Sequence, residues 1–202
     1  MKKIKPRELH TNRLDIKIPT YKEQYDLWKL LKIESININL MTTPPCFNNR
    51  KEFQKTLEDW ELQKKKYYLN IDNLDKDSNM YTWTIFLKGT GKAIGQISVQ
   101  PNEKFEDLNI RNIGLFIDPK FHGQGLGYEV ALEVLKFMFN EVEIQRIETK
   151  VLTTNIASWK LLEKLGFIRD GMFKASYKDN NEKDIYKYTY YLTKDMFLDK
   201  ME

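Results

Sequence analysis

The chain has 202 residues, 41% of them hydrophobic and 31% charged, with a formal charge of +4. That size and composition suit one domain with a sizeable core, and the mild basic excess fits small anionic ligands; no motif that reads RNA or DNA accompanies it. A single cysteine, Cys46, excludes an internal disulfide, and with His10 and His122 as the two histidines no metal site is expected.

The opening Met1-Lys2-Lys3-Ile4-Lys5-Pro6 has no apolar stretch behind it, and no run approaches the ~20 apolar residues of a membrane helix. The expectation is a cytoplasmic protein without a membrane partner. It forms a single domain over 1–202, with residues 1–8 as a flexible tail.

Taken in chain order, Arg13 to Ile18 alternates polar and apolar residues as a half-buried strand does, and Pro19 ends it. Thr20 and Glu23 have the spacing of a capping box for a helix carrying Tyr25, Trp28 and Leu31. A loop with Pro44-Pro45 leads to a second, charged helix over 50–68, with Phe53, Leu57 and Trp60 on one stripe. Its Lys64-Lys65-Lys66 run reads as a solvated helix end or as an attractor of acidic partners. Strands over 80–87 and 93–99 flank a hairpin turn, Lys88-Gly89-Thr90-Gly91. A strand over 110–117 stops at Asp118-Pro119. A glycine-rich loop, a helix to about Asn140 and a strand over 144–152 follow. A short helix then runs from Asn155 to Leu165 with Gly166 as its C-terminal cap. The last two strands, 167–177 and 185–192, flank the turn Asp179-Asn180-Asn181. The pattern is a mixed α/β fold with one strand–helix–strand crossover at its centre.

The glycine-rich loop, Phe121-His122-Gly123-Gln124-Gly125-Leu126-Gly127-Tyr128-Glu129, follows a strand and opens a helix. Free N–H groups and the helix dipole at such a start attract anions. Gly123, Gly125 and Gly127 allow the backbone to bend and to approach phosphate oxygens. The alternative is a glycine-rich turn that only connects two elements. A Walker-type loop would need Lys and Ser or Thr where Tyr128 and Glu129 stand, and the Rossmann spacing would need a small residue at Tyr128 or Val130.

His122 to Gly127 resembles the Gln/Arg-x-x-Gly-x-Gly/Ala motif of the GNAT superfamily of acetyl-CoA-dependent N-acetyltransferases, with His122 at the first position. Asn155-Ile156-Ala157-Ser158 followed by Glu163-Lys164-Leu165-Gly166-Phe167 resembles a second signature of that family. Thr11-Asn12-Arg13-Leu14 is similar to the opening of the RimJ/RimL branch, which acetylates ribosomal-protein N-termini. The resemblance runs from about residue 9 to 195.

It implies a GNAT-like sheet splayed between the strand ending at Ile117 and the one starting at Ile144. The pantetheine arm would bond to backbone near Leu115 and Ile117, and the pyrophosphate would rest on the amides of Gln124, Gly125, Leu126, Gly127 and Tyr128. Ser158 would stand beside the sulfur, where many relatives instead use a tyrosine at the position of Leu162. Its other reading is an ordinary serine in a first helical turn. Asn155 reads as a helix cap toward the Ser158 N–H and, by resemblance, as a CoA contact. His122 reads as an anion contact or as packing. Asn112 stands where the branch often has a glutamate base, and an amide cannot take that role. Glu103, Asp118, Glu148 and Tyr177 stay open as bases.

The acceptor is an amine, with three alternatives: a protein N-terminus, a small amine such as a polyamine, aminoglycoside or amino acid, or none at all in a binding-only acetyl-CoA sensor. A terminal amine with a pKa near ~8 is already partly neutral at pH 7, whereas a side-chain amine near ~10.4 needs more help. The aromatics Tyr25, Trp28, Trp60, Tyr67, Tyr68 and Trp83 could shape a pocket or fill the core. A monomer or a homodimer fits equally.

Overall fold

A computed structural model describes residues 4–19, 23, 27, 29–30, 81–102, 109–178 and 184–201, the side chains of 176–178 excepted. The two helices expected between 20 and 68, with the lysine run, lie outside these residues, although 23, 27, 29 and 30 are individually helical and Leu27 is buried. Cys46, Glu103, the Tyr177 side chain and the turn at 179–181 lie outside them too.

Alternation builds the first half of the sheet. β1 (Leu9–His10) and β2 (Leu14–Lys17) bury Leu9, Leu14 and Ile16. β3 (Tyr81–Leu87) and β4 (Lys92–Pro101) form the expected hairpin, with Gly89 at φ 75° and Gly91 at φ 62° in its turn. β5 (Ile110–Ile117) returns antiparallel to β4. Between Ile85↔Gly95 and Phe86↔Ala93 the register shifts by one residue, Ile94, a bulge on β4. A Cβ on Gly95 would stand 2.2 Å from the Phe116 carbonyl oxygen, so the close approach there requires glycine.

Asp118 ends β5 and caps a 3-10 turn, Pro119–Phe121, by accepting the Lys120 N–H at 3.0 Å. The glycine-rich loop then enters α1 (Leu126–Lys136), which continues as a π-helical turn over Phe137–Glu141. The regular apolar stripe of α1 ends there, and Phe137, Met138 and Phe139 are all buried. β6 (Arg146–Leu152), α2 (Ile156–Leu165), β7 (Ile168–Lys178), β8 (Asp184–Thr193) and α3 (Lys194–Met201) complete the chain.

The eight strands form one sheet in the order β1-β2-β3-β4-β5-β6-β8-β7, the mixed α/β class expected. β5 and β6 are its parallel pair, joined through α1. Alternation divides the sheet into two faces. One carries Trp83, Ile97, Leu115, Ile147 and Leu192 toward α1. There Trp83 packs edge-on to Phe137 at 5.7 Å between centroids, so this tryptophan is core. The other face carries Thr84, Gln96, Ser98, Asn112 and Glu148.

Four features had no counterpart in the periodicity. β1 is two residues long, and α3 is a short helix of which only Phe197 is buried, stacked on Phe139 at 5.1 Å. β8 inserts between β6 and β7, although it follows β7 in sequence. Residues 4–8, within the stretch read as a tail, are held to the sheet: Tyr81 Oη donates to Ile4 O at 2.8 Å and Trp83 Nε1 to Arg7 O at 2.7 Å.

Candidate active site

The centre of the sheet opens. β5 and β6 pair only at Ile110↔Arg146, Arg111↔Ile147 and Asn112↔Glu148, and then diverge. Thr149 Oγ1 donates to Ile113 O at 3.0 Å across the start of the gap. Asp118 N donates to Ile94 O on the β4 side, so by alternation the even-numbered residues of β5 point their backbone groups at β4 and the odd-numbered ones at the gap. Thr149 occupies the Ile113 carbonyl and His122 Nε2 lies 2.8 Å from the Ile117 carbonyl. Leu115, between them, keeps an N–H and a C=O facing the splay, with no strand opposite among the described residues.

One end of that gap meets the start of α1. Gly123 (φ 74°) and Gly125 (φ 76°) take left-handed conformations that bend the chain back on itself. Among the described residues no side chain caps the helix, and its first bond runs from Glu129 N to Gly125 O at 3.1 Å. Among the described residues no acceptor meets the N–H groups of Gln124, Gly125, Leu126, Gly127 and Tyr128, and these cluster at the positive end of the helix dipole. A Cβ on Gly127 would lie 3.4 Å from Leu161 Cδ2 and 3.8 Å from Leu115 Cδ2. At Gly127 α1 therefore packs against both α2 and β5. Beside the loop runs a groove of about 640 Å³ lined by His10, Arg13, Tyr128, Glu129, Lys136 and Lys164. Lys164 Nζ stands over the Tyr128 ring at 4.6 Å.

The β1–β2 turn grips this loop from outside, a contact the sequence analysis did not foresee. Arg13 Nε and Nη2 reach Glu129 Oε2 at 2.7 and 2.6 Å, while Nη1 donates to the Gln124 carbonyl at 2.9 Å. Thr11 Oγ1 and Arg13 N donate to Glu129 Oε1 at 2.5 and 3.0 Å. Burial alone would raise the Glu129 pKa, but these hydrogen bonds and the Arg13 charge outweigh it and hold the carboxyl below its ordinary range. Thr11 and Arg13 belong to the Thr-Asn-Arg-Leu stretch, whose resemblance was the only signal that could have found them.

α2 starts differently. Asn155 Oδ1 accepts the Ser158 N–H at 3.2 Å, the cap read from the sequence, and Gly166 at φ 99° closes the other end. Leu161 touches the place where a Gly127 side chain would be, and Ser158 lies three residues earlier on the same side of the helix. Ser158 is half-buried and Leu162 is buried. The helix thus turns its Ser158 side toward α1 and the gap.

The opposite face carries another of the base candidates. Glu148 stands in register beside Asn112 at the mouth of the splay. It accepts from Asn102 Nδ2 at 3.0 Å and from Arg146 Nε at 2.8 Å. Asp118, another base candidate, is buried and occupied by its capping bond and by Lys92 at 3.7 Å. No group of three or more His, Cys, Asp or Glu side chains that could hold a metal occurs among the described residues, and no helix of theirs is long and apolar enough to cross a membrane.

Residues 39–168 match the family described as the acetyltransferase (GNAT) domain. The probable N-acetyltransferase YjcK of Bacillus subtilis (strain 168) is 31% identical over 120 residues, 59% of this chain and 65% of that protein. The matched part of the chain therefore spans slightly less than two thirds of that relative's length. Among solved structures, a ribosomal-protein-S5-alanine acetyltransferase from Vibrio fischeri shares the fold with a TM-score of 0.68 at 16% identity, covering 93% of this chain and 97% of that one. A spermidine N-acetyltransferase SpeG chimera from Vibrio cholerae and hSSAT also reaches 0.68, at 14% identity, covering 93% and 99%.

Proposed function

The chain belongs to the GNAT acetyltransferase family, and we propose that it moves an acetyl group from acetyl-CoA to a primary amine by direct attack on the thioester. The observation that carries this reading is the meeting of two open sets of backbone groups. Leu115 faces the splay and the uncapped amides of Gln124 to Tyr128 face its end. An extended pantetheine arm fits the first set as a missing strand would, and a pyrophosphate fits the second. His122 already engages the Ile117 carbonyl, so Ile117 joins the arm's contacts only where that ring gives way. Lys164, over the Tyr128 ring, adds positive charge near the loop.

Acetyl-CoA supplies the acetyl group as an activated thioester. Ser158, on the α1 side of the gap, is the proton donor for the departing sulfur. In this reading Glu148, on the other face and beside Asn112, takes the amine's proton directly or through water, exchanging one of its present bonds to do so. Orientation of the two reactants supplies much of the rate, roughly 7–11 kcal/mol in well-oriented systems. Asn155 holds the start of α2, and with it Ser158, in place.

The equal TM-scores to a ribosomal-protein and a spermidine acetyltransferase leave the fold neutral between acceptors. What favours a protein N-terminus as acceptor is the resemblance of Thr11-Asn12-Arg13-Leu14 to the branch that acetylates ribosomal-protein N-termini. The test is CoA thiol release from acetyl-CoA over a panel of peptides with free N-termini, polyamines, aminoglycosides and amino acids. Release with peptides is the expected result. Release with polyamines alone would overturn the acceptor, and silence throughout in protein that binds acetyl-CoA would overturn the enzyme in favour of a sensor.

A further inference from the structure

We propose that Arg13 is a positioning residue for the cofactor loop: anchored on Glu129, it draws the Gln124 carbonyl outward and thereby aims the Gly125 N–H at the bound pyrophosphate. This rests on the reading of that loop as the pyrophosphate site.

The argument starts from the peptide plane. In a trans peptide the C=O of one residue and the N–H of the next point in opposite directions. Arg13 Nη1 holds the Gln124 carbonyl on the outer side of the loop at 2.9 Å, so the Gly125 N–H points to the inner side. That plane turns on ψ of Gln124 and φ of Gly125, and Gly125 is a glycine in the left-handed region at φ 76°. Its freedom, which shapes the loop, also permits the plane to rotate and present its carbonyl oxygen to the phosphates. An oxygen in place of an N–H would repel the anion.

Arg13 is itself fixed. Its Nε and Nη2 bind Glu129 Oε2, whose partner oxygen is held by the Thr11 hydroxyl and the Arg13 N–H. The ion pair has a second effect. Glu129 sits in the first turn of α1, where a bare carboxylate would oppose an incoming phosphate; the Arg13 charge cancels it. Arginine is required rather than lysine because three donors in one plane span the carboxylate and the carbonyl together.

The experiment compares the affinities of CoA and of pantetheine, which lacks the pyrophosphate, by calorimetry on wild type, Arg13→Gln and Arg13→Lys, with melting temperatures alongside. Wild type should prefer CoA. Arg13→Gln should lose roughly 10- to 100-fold in CoA affinity, the scale of a charged hydrogen bond, with pantetheine affinity unchanged. Arg13→Lys, which keeps the charge without the fork, should lose most of the preference as well. Equal losses for both ligands with a lowered melting temperature would reduce Arg13 to a structural role and overturn the proposal. Full preference in Arg13→Lys would assign the effect to charge alone and overturn it too. Retained preference in Arg13→Gln sinks the positioning role while leaving the pyrophosphate site standing. A wild type that does not distinguish the ligands removes both.

Discussion

The two helices that meet at the splay begin in opposite ways. α2 closes its first turn with its own side chain, Asn155 to the Ser158 N–H, whereas α1 begins at Gly125, and among the described residues nothing caps it or meets its first amides. Both starts face the same unsatisfied-donor problem. The difference shows that a missing cap on a well-packed helix is informative: α1 buries Leu126, Val130, Ala131 and Val134, so it can leave its first amides for a ligand.

That contrast can be broken at each end. Gly125→Val should cost the most: a β-branched residue at φ 76° is strained by about 1–2 kcal/mol, and its side chain presses on Arg13 Nη2, 3.7 Å from where the Cβ would stand. CoA affinity should fall on the order of 100-fold or more once the lost amide contacts are added, measured by calorimetry; normal affinity would remove the loop from the binding site. At the start of α2, Ser158→Ala should lower kcat about 100-fold, the low end for a positioned acid, with little change in KM for acetyl-CoA. Unchanged turnover in steady-state assays would return Ser158 to an ordinary first-turn serine. Asn155→Ala should destabilise the protein by about 1 kcal/mol, read from urea denaturation. If the Asn155 change instead abolished CoA binding with stability intact, the cap would be the lesser of its two roles.

The smallest effect concerns acid. Burial raises the Glu129 pKa, but the bonds from Thr11 and Arg13 outweigh it and hold the folded value below the ordinary 4.5. The pair therefore stabilises in full above pH 4.5 and is lost as the pH falls through the lower folded value. Melting temperature against pH should drop less steeply below that point in Arg13→Gln than in wild type. Parallel curves would show that the grip contributes nothing to stability.

The readable parts of this site are local ones. Asn155, Ser158 and Gly166 lie within one short helix, where a cap three residues from its donor and a glycine at the end are written in adjacent letters. The strand before the loop and the helix after it showed their periods directly. Glu129 was legible only as a residue that spoiled a Walker motif, because its partner Arg13 is 116 positions away and no period links them. The pantetheine arm was expected to bond to backbone near Ile117; His122, five residues on, folds back onto the Ile117 carbonyl, a turn that depends on the 3-10 segment between.

By itself the sequence determined the element order from β3 to β8, the crossover through α1, and the glycines that bend the loop, since each follows from neighbouring side chains and backbone sterics. Tertiary structure decided where β8 inserts, how far β5 and β6 stay paired, and which outside residue grips the loop. These depend on which surfaces meet once the core is buried, and that is a property of the whole sheet rather than of any window along the chain.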